Sequence, residues 1–181
     1  GKATVVKGKT KAILVRMFRG DTPTALSPEG RFFRGFVKWL VSMAKSHGLG
    51  CPGFPDIDPA GLHQLVMRYD GMWRLKLPKA KTQRDPEPPT EFGLGSWAVA
   101  LDRAIRIALE VLQESVAHAR PPAVAVDFDD MVYIPVRCPE LFRRRHAFVF
   151  CDESQDLNPV RTRFLQLLTR PGGRILAVGD P

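Results

Sequence analysis

Apolar residues recur at helical spacing in three stretches of the chain and as short continuous runs in its last third, so the pattern predicts helices first and strands later. Ser27-Pro28-Glu29 has the form of a helix start, and Phe32, Phe33, Phe36, Val37, Leu40 and Val41 follow on one face until Gly48. Asp58-Pro59 opens a second helix with Leu62, Leu65, Val66 and Tyr69 on its apolar side and Asp70-Gly71 as its stop. Ser96 opens the longest, in which Trp97, Leu101, Ile105, Ala108, Leu109, Leu112 and Val116 hold the period until Pro121-Pro122. Ahead of all three, Thr4-Val5-Val6 and Ala12 to Val15 predict a short strand and a helix within residues 1–20, a stretch with six Lys or Arg and no acid. Residues 76–95 gather four prolines, two glycines and mixed charge, which predicts a mobile surface loop.

The last third reads differently. His146 to Cys151 is a nearly continuous apolar run, the pattern of a strand covered on both faces, and it stops at Asp152-Glu153. Asn158-Pro159 opens a helix carrying Val160, Phe164, Leu167 and Leu168, Pro171-Gly172-Gly173 closes it, and Ile175 to Val178 forms a second strand. Strand, helix and strand at this length make a right-handed βαβ unit with parallel strands. Asp152-Glu153 and Gly179-Asp180 then emerge on one edge of the sheet, where α/β folds bind ligands.

Composition narrows the partners more than the fold. With 181 residues, 44% hydrophobic and 25% charged, the chain is long enough for a domain that buries about 70% of its surface, which excludes disorder throughout. The net charge of +8 attracts large polyanions at low salt. Three cysteines without a C-x-x-C pair argue against a disulfide framework and a structural zinc site, and predict a reducing, cytoplasmic setting. No apolar run reaches the roughly 18 residues of a membrane span, and the basic start lacks a signal peptide's apolar block. A chain that opens without Met and closes just past a strand is expected to be a fragment of something longer.

Adjacent acids at the end of a buried strand are the arrangement with which a nucleotide hydrolase holds magnesium and orients water; the plainer alternative is that they end the strand and cap the turn. Their surroundings favour the functional reading. Val149 to Cys151 runs into Asp152-Glu153-Ser154-Gln155-Asp156, and after a helix comes Val178-Gly179-Asp180-Pro181. Asp127-Phe128-Asp129-Asp130-Met131 lies upstream. In these three motifs, in this order, the chain resembles the UvrD/Rep-type helicases of superfamily 1: D-E-x-Q-D is their Walker B motif, V-G-D opens their motif III, and a D-F-x-D element precedes both. The stretch DFDDMVYIP is similar to phage and bacterial members. The clear resemblance covers about the last 55 residues, counted from Asp127 to Pro181.

The resemblance implies an α/β, P-loop NTPase-like (RecA-like) portion with parallel βαβ topology and an inserted, mainly helical subdomain, together an incomplete domain. It divides the chain into residues 1–20 as the end of a first motor segment, 21–122 as the helical insertion with its loop at 76–95, and 123–181 as the Walker B and motif III part. It implies ATP and Mg²⁺ as cofactors and single-stranded or partly duplex DNA as partner. Asp152 would be the metal ligand, Glu153 would activate the attacking water, and Gln155 would link the nucleotide site to Gly179 and Asp180. Asp127 resembles a helix N-cap with Asp130 near the positive end of the dipole, so structural work is expected of that cluster.

Residues 3–10 nearly spell G-x-x-x-x-G-K-[ST], with Ala3 in place of the first glycine. A P-loop needs a buried strand before it and a loop of accessible N–H groups, and Thr-Val-Val-Lys supplies neither, so Lys9 and Thr10 are not expected to cradle phosphate. Without that cradle and a second motor domain, a fragment alone should not hydrolyse ATP. Two other functions compete: a metal-dependent nuclease using Asp127, Asp129, Asp130, Asp152 and Glu153, and a non-catalytic basic nucleic-acid-binding module indifferent to those acids. Arg143-Arg144-Arg145 reads as a solvated run that phosphates could meet. Trp39 and Trp97 read as core, Trp73 beside Arg74 and Lys76 as the more exposed stacking candidate, and the four histidines carry no ligand spacing. Unwinding polarity, DNA against RNA and pathway, DNA repair among them, are left open by the sequence.

Overall fold

The structure is a computed structural model that describes residues 4–5, 8–18, 28–71, 97–119 and 125–180. In chain order the elements are β1 (Thr4–Val5), α1 (Lys9–Phe18), α2 (Pro28–Ser46), α3 (Pro59–Arg68), α4 (Trp97–His118), β2 (Ala125–Val126), α5 (Phe128–Arg137), β3 (His146–Cys151), α6 (Pro159–Leu168) and β4 (Thr169–Ala177). The caps expected at Ser27 and Ser96, the loop at 76–95, Trp73 and the Pro121-Pro122 stop lie outside the described residues.

Local chemistry accounts for where the helices begin. Asp58 accepts the Gly61 N–H at 2.7 Å and Asn158 accepts that of Arg161 at 2.9 Å, each with proline following at the first helical position. Asp127 and Asp130 cap α5 reciprocally: the Asp130 N–H donates to Asp127 Oδ1 at 2.9 Å, and the Asp127 N–H donates to Asp130 Oδ2 at 3.1 Å.

The amphipathic faces meet in two cores. Ile13 and Leu14 of α1 join Phe36, Val37, Leu40 and Val41 of α2, Leu62 and Val66 of α3, and Ala104, Ala108 and Leu112 of α4 in the larger one. The smaller gathers Cys51, Tyr133 and Val136 of α5, and Val160 and Leu167 of α6. Between them lies the turn that follows α2. Tyr133 donates its hydroxyl to the Leu49 carbonyl at 2.6 Å, and Arg137 Nη1 donates to the Gly50 carbonyl at 2.7 Å. Gly50 sits at φ +74° with Arg137 and Ile57 closed over it, a conformation and a space that exclude a side chain.

Both strand pairs are parallel. β1 pairs with β2, Thr4 opposite Ala125 and Val5 opposite Val126. β3 pairs with β4, Phe148 opposite Arg174, Phe150 opposite Leu176 and Cys151 opposite Ala177. The helix between them makes this the βαβ unit expected from the pattern. Two details differ from expectation. β4 starts already at Thr169, paired with His146, and the Pro171-Gly172-Gly173 segment is an irregularity within the pairing. The strands are also not covered on both faces by the described residues: α6 packs against one face, while Phe148 is 63% and Phe150 74% exposed on the other.

Candidate functional site at the carboxyl edge of the paired strands

The parallel register delivers the carboxyl ends of β3 and β4 side by side, and main-chain bonds lock them together. Val178 donates its N–H to the Cys151 carbonyl at 2.8 Å, and Ser154 donates to the Val178 carbonyl at 2.9 Å. The turn that leaves β3 passes through Glu153 at φ 53°, ψ 46°, a left-handed conformation unusual for a residue with a side chain. That reversal puts five exposed residues, Asp152, Glu153, Gln155, Gly179 and Asp180, on one edge. The Glu153 N–H donates to Asp152 Oδ1 at 2.9 Å, Gln155 Nε2 donates to Glu153 Oε2, and Gln155 Oε1 accepts the Asp180 N–H at 3.1 Å. One amide therefore touches both the acidic turn and the segment after β4. Gly179 is where the two come closest: a Cβ there would lie 2.6 Å from Ser154 Oγ and 2.8 Å from its nitrogen.

Beside this edge lies an open depression of about 300 Å³ lined by Asp152, Glu153, Asp156, Arg161 and Phe164 among others. Asp152 Oδ2 has no hydrogen-bond partner among the described residues and is free to ligate a cation. An oxygen set of one or two carboxylates suits Mg²⁺, which keeps several waters and takes its remaining ligands from phosphate. Among the described residues no group of three acids, histidines or cysteines encloses a metal.

The upstream acids do different work. Asp130 is fully buried and pairs with two lysines, Lys9 and Lys45, each at 2.7 Å. Lys9 Nζ spends its remaining donors on the carbonyls of Ser115, at 2.7 Å, and Ala125, at 2.6 Å. All three of its N–H bonds are engaged, so Lys9 has none left for a phosphate. Thr10 donates its hydroxyl to Asp127 Oδ2 at 2.9 Å, and Lys45 reaches Asp127 Oδ1 at 3.2 Å. Burial opposes ionisation of Asp127, but the Lys45 charge, the Asp130 N–H and the Thr10 hydroxyl outweigh it and hold its carboxyl below the usual range. Two cations and two anions thus balance in a buried quartet that ties α1, α2, α4 and α5 together. Asp129 faces outward and accepts from Ser42 Oγ at 2.8 Å.

Sequence reasoning missed Lys45 of that quartet and also Ser115, whose carbonyl accepts from Lys9 and whose hydroxyl accepts from Lys45. The available signal was position: Lys45 continues the Val37, Val41 stripe of α2, and Ser115 continues the Ala108, Val111 and Leu112 stripe of α4. Arg143, Arg144 and Arg145 are exposed, and Trp39 and Trp97 are half-buried against the larger core. His47 shares a hydrogen bond with the Tyr69 hydroxyl at 2.6 Å; Trp73 and Pro181 lie outside the described residues.

The model of the UvrD/REP helicase N-terminal domain family matches residues 75–181, which include the acidic turn, the capping box of α5 and the segment after β4. No curated protein and no solved structure matches the chain. A match over more than half of the sequence establishes that the chain belongs to the UvrD/REP helicase family.

Proposed function

We propose that this member of the UvrD/REP helicase family contributes the magnesium and water-activating residues of an ATP-dependent DNA helicase or translocase. The observation that carries the proposal is the carboxyl-edge arrangement in which Gln155 bonds both Glu153 and the Asp180 backbone. Asp152 would hold Mg²⁺, directly or through water, with its unpartnered oxygen. Bound there, Mg²⁺ would neutralise charge on the β- and γ-phosphates of ATP. Glu153 would accept a proton on its carboxylate from the attacking water, a role suited to an exposed carboxylate fixed by a neighbouring amide. Gln155 would relay the state of that site to Gly179 and Asp180 and so to the DNA-binding side.

The remaining divisions of the chain belong to the same proposal: residues 1–20 as part of a motor segment, 21–122 as a helical insertion, and 123–181 as the Walker B and motif III part of a P-loop NTPase-like domain acting in the cytoplasm. Lys9 is engaged inside the protein, which supports the reading that other sequence supplies the phosphate-cradling loop, and on that reading these residues alone are inactive. The nuclease alternative is less well supported, because Asp127 and Asp130 are neutralised by Lys9 and Lys45 in place of a metal. DNA-stimulated, Mg²⁺-dependent ATP hydrolysis by a protein that carries this chain together with a phosphate-binding loop tests the proposal. Cleavage of DNA without nucleotide would favour the nuclease instead, and DNA binding without ATP turnover, indifferent to Asp152→Ala, would favour the basic binding module.

A further inference from the structure

The two ends of the β3–β4 pair carry opposite charge. At the carboxyl edge Asp152, Glu153, Asp156 and Asp180 are all exposed. At the amino edge the register sets His146 opposite Thr169 and Phe148 opposite Arg174. This pairing brings the segment before β3, with Arg143, Arg144 and Arg145, to the same end as Arg170 and Arg174 in the irregular start of β4. A Cβ on Gly173 would lie 2.9 Å from the Ala147 carbonyl, so the 170–173 bulge is seated against β3. The Phe142 and Phe164 rings, 5.4 Å apart and edge-on, fix the approach from the other side.

All five arginines are exposed, and their side chains make no ion pair or hydrogen bond with the described residues. Over residues 139–150 and 169–178 the one acid is Glu140. A guanidinium left without a carboxylate remains available for bidentate contact with phosphate. Between about four residues of strand, at Arg174 opposite Phe148, and six, at the start of β3, separate these arginines from Asp152, roughly 13–20 Å at about 3.3 Å per residue and beyond the Debye length of about 8 Å at physiological salt. The acids therefore do not cancel the field of the arginines, and they repel a polyanion from their own end.

We infer that the amino edge of the β3–β4 pair, formed by Arg143, Arg144, Arg145, Arg170 and Arg174, is a contact surface for the phosphate backbone of duplex DNA, separate from the acidic edge. The inference rests on the proposed function only for its choice of ligand, and it adds a second place at which the nucleic acid is held. Contacts of this kind position the duplex without reading its sequence.

Binding of a short duplex DNA by the whole chain, without nucleotide and over a range of salt, tests it. Each lost phosphate contact reduces the slope of log K against log salt by about 0.9, so the Arg143→Gln, Arg144→Gln, Arg145→Gln triple variant should have a slope shallower by up to about 2.7. The corresponding triple lysine variant keeps the point charges and should restore most of the slope. Arg106→Gln, which removes an exposed charge on α4, should change it by far less. Circular dichroism of all variants should match the unsubstituted chain. An unchanged slope in the triple glutamine variant, or a shift equal to that of Arg106→Gln, overturns the inference while leaving the ATP-hydrolysing proposal standing. Failure of the unsubstituted chain to bind duplex DNA overturns it as well. A larger loss of duplex than of single-stranded binding supports the inference, whereas equal loss of both overturns its choice of the duplex.

Discussion

Lys9 and Lys45 hold their ammonium groups in the interior because Asp127 and Asp130 meet them there, and the balance is sensitive to losing one member. Removing one partner of a buried pair leaves an unpaired charge, which costs about 3–5 kcal/mol. Lys9→Met, Lys45→Met and Asp130→Asn should each lower stability by that order in urea unfolding, whereas Lys11→Met, at an exposed neighbour, should change it by less than about 0.5 kcal/mol. Asp127 is held below its ordinary value of 3.8, so its contribution is present above the unfolded pKa and is lost as pH falls through the folded one. At the alkaline end burial pushes the Tyr133 hydroxyl and the Cys51 thiol up to about 12, from ordinary values of 10.0 and 9.0. Their contributions are intact below the unfolded values and lost as pH rises toward 12. The urea midpoint should therefore be flat from about pH 5 to 8 and fall on both sides, and Tyr133→Phe should reduce the alkaline fall. At the candidate site, Gly179→Ala should break the Gln155–Asp180 bond because its Cβ has no room beside Ser154. In a polypeptide that carries this chain and a phosphate-binding loop, lowered ATP turnover with a nearly unchanged unfolding midpoint is the expected result; unchanged turnover would remove Gln155 from the relay.

At the scale of elements, the caps were legible because they are local. Asp58, Asn158 and Asp127 announce helices by a side-chain acceptor a few residues ahead of the N–H groups it serves. Asn158→Ala should cost about 1 kcal/mol and destabilise α6, the element that connects the acidic turn to β4, as read by a lower thermal midpoint. Parallel βαβ order was legible for the same kind of reason, since periodicity and connection length leave few alternatives. The early start of β4 was not, because pairing of His146 with Thr169 depends on a register set by distant residues, and the Pro171-Gly172-Gly173 string reads locally as a break. Nor was the lysine pairing legible, because a lysine on an apolar stripe shows its partner only once four helices have been assembled. Of the candidate site, the placing of Asp152-Glu153 and Gly179-Asp180 on one edge could be read from the pattern. The left-handed turn at Glu153 and the two bonds of the Gln155 amide required the structure.

Across the molecule, the larger core of α1 to α4 and the smaller core under the β3–β4 pair meet at the turn after α2, where Tyr133 and Arg137 hold the Leu49 and Gly50 carbonyls. The buried quartet spans the same junction, since it joins α1, α2 and α4 to the start of α5. The helical packing and the strand pair are thus joined through one set of buried contacts. The charge distribution has a matching polarity: exposed acids at the carboxyl edge, where metal and water are proposed to bind, and exposed arginines at the amino edge, the proposed contact for a polyanion. The central claim is that the carboxyl edge turns over ATP through Glu153. It is tested most directly by comparing the Glu153→Gln variant with the unsubstituted protein, in a polypeptide that carries this chain and a phosphate-binding loop, for ATP affinity and DNA-stimulated turnover separately. Retained affinity with turnover lowered by about a hundredfold or more is predicted, since a positioned base contributes roughly 10²–10⁴ in rate. Turnover equal to that of the unsubstituted protein would contradict it.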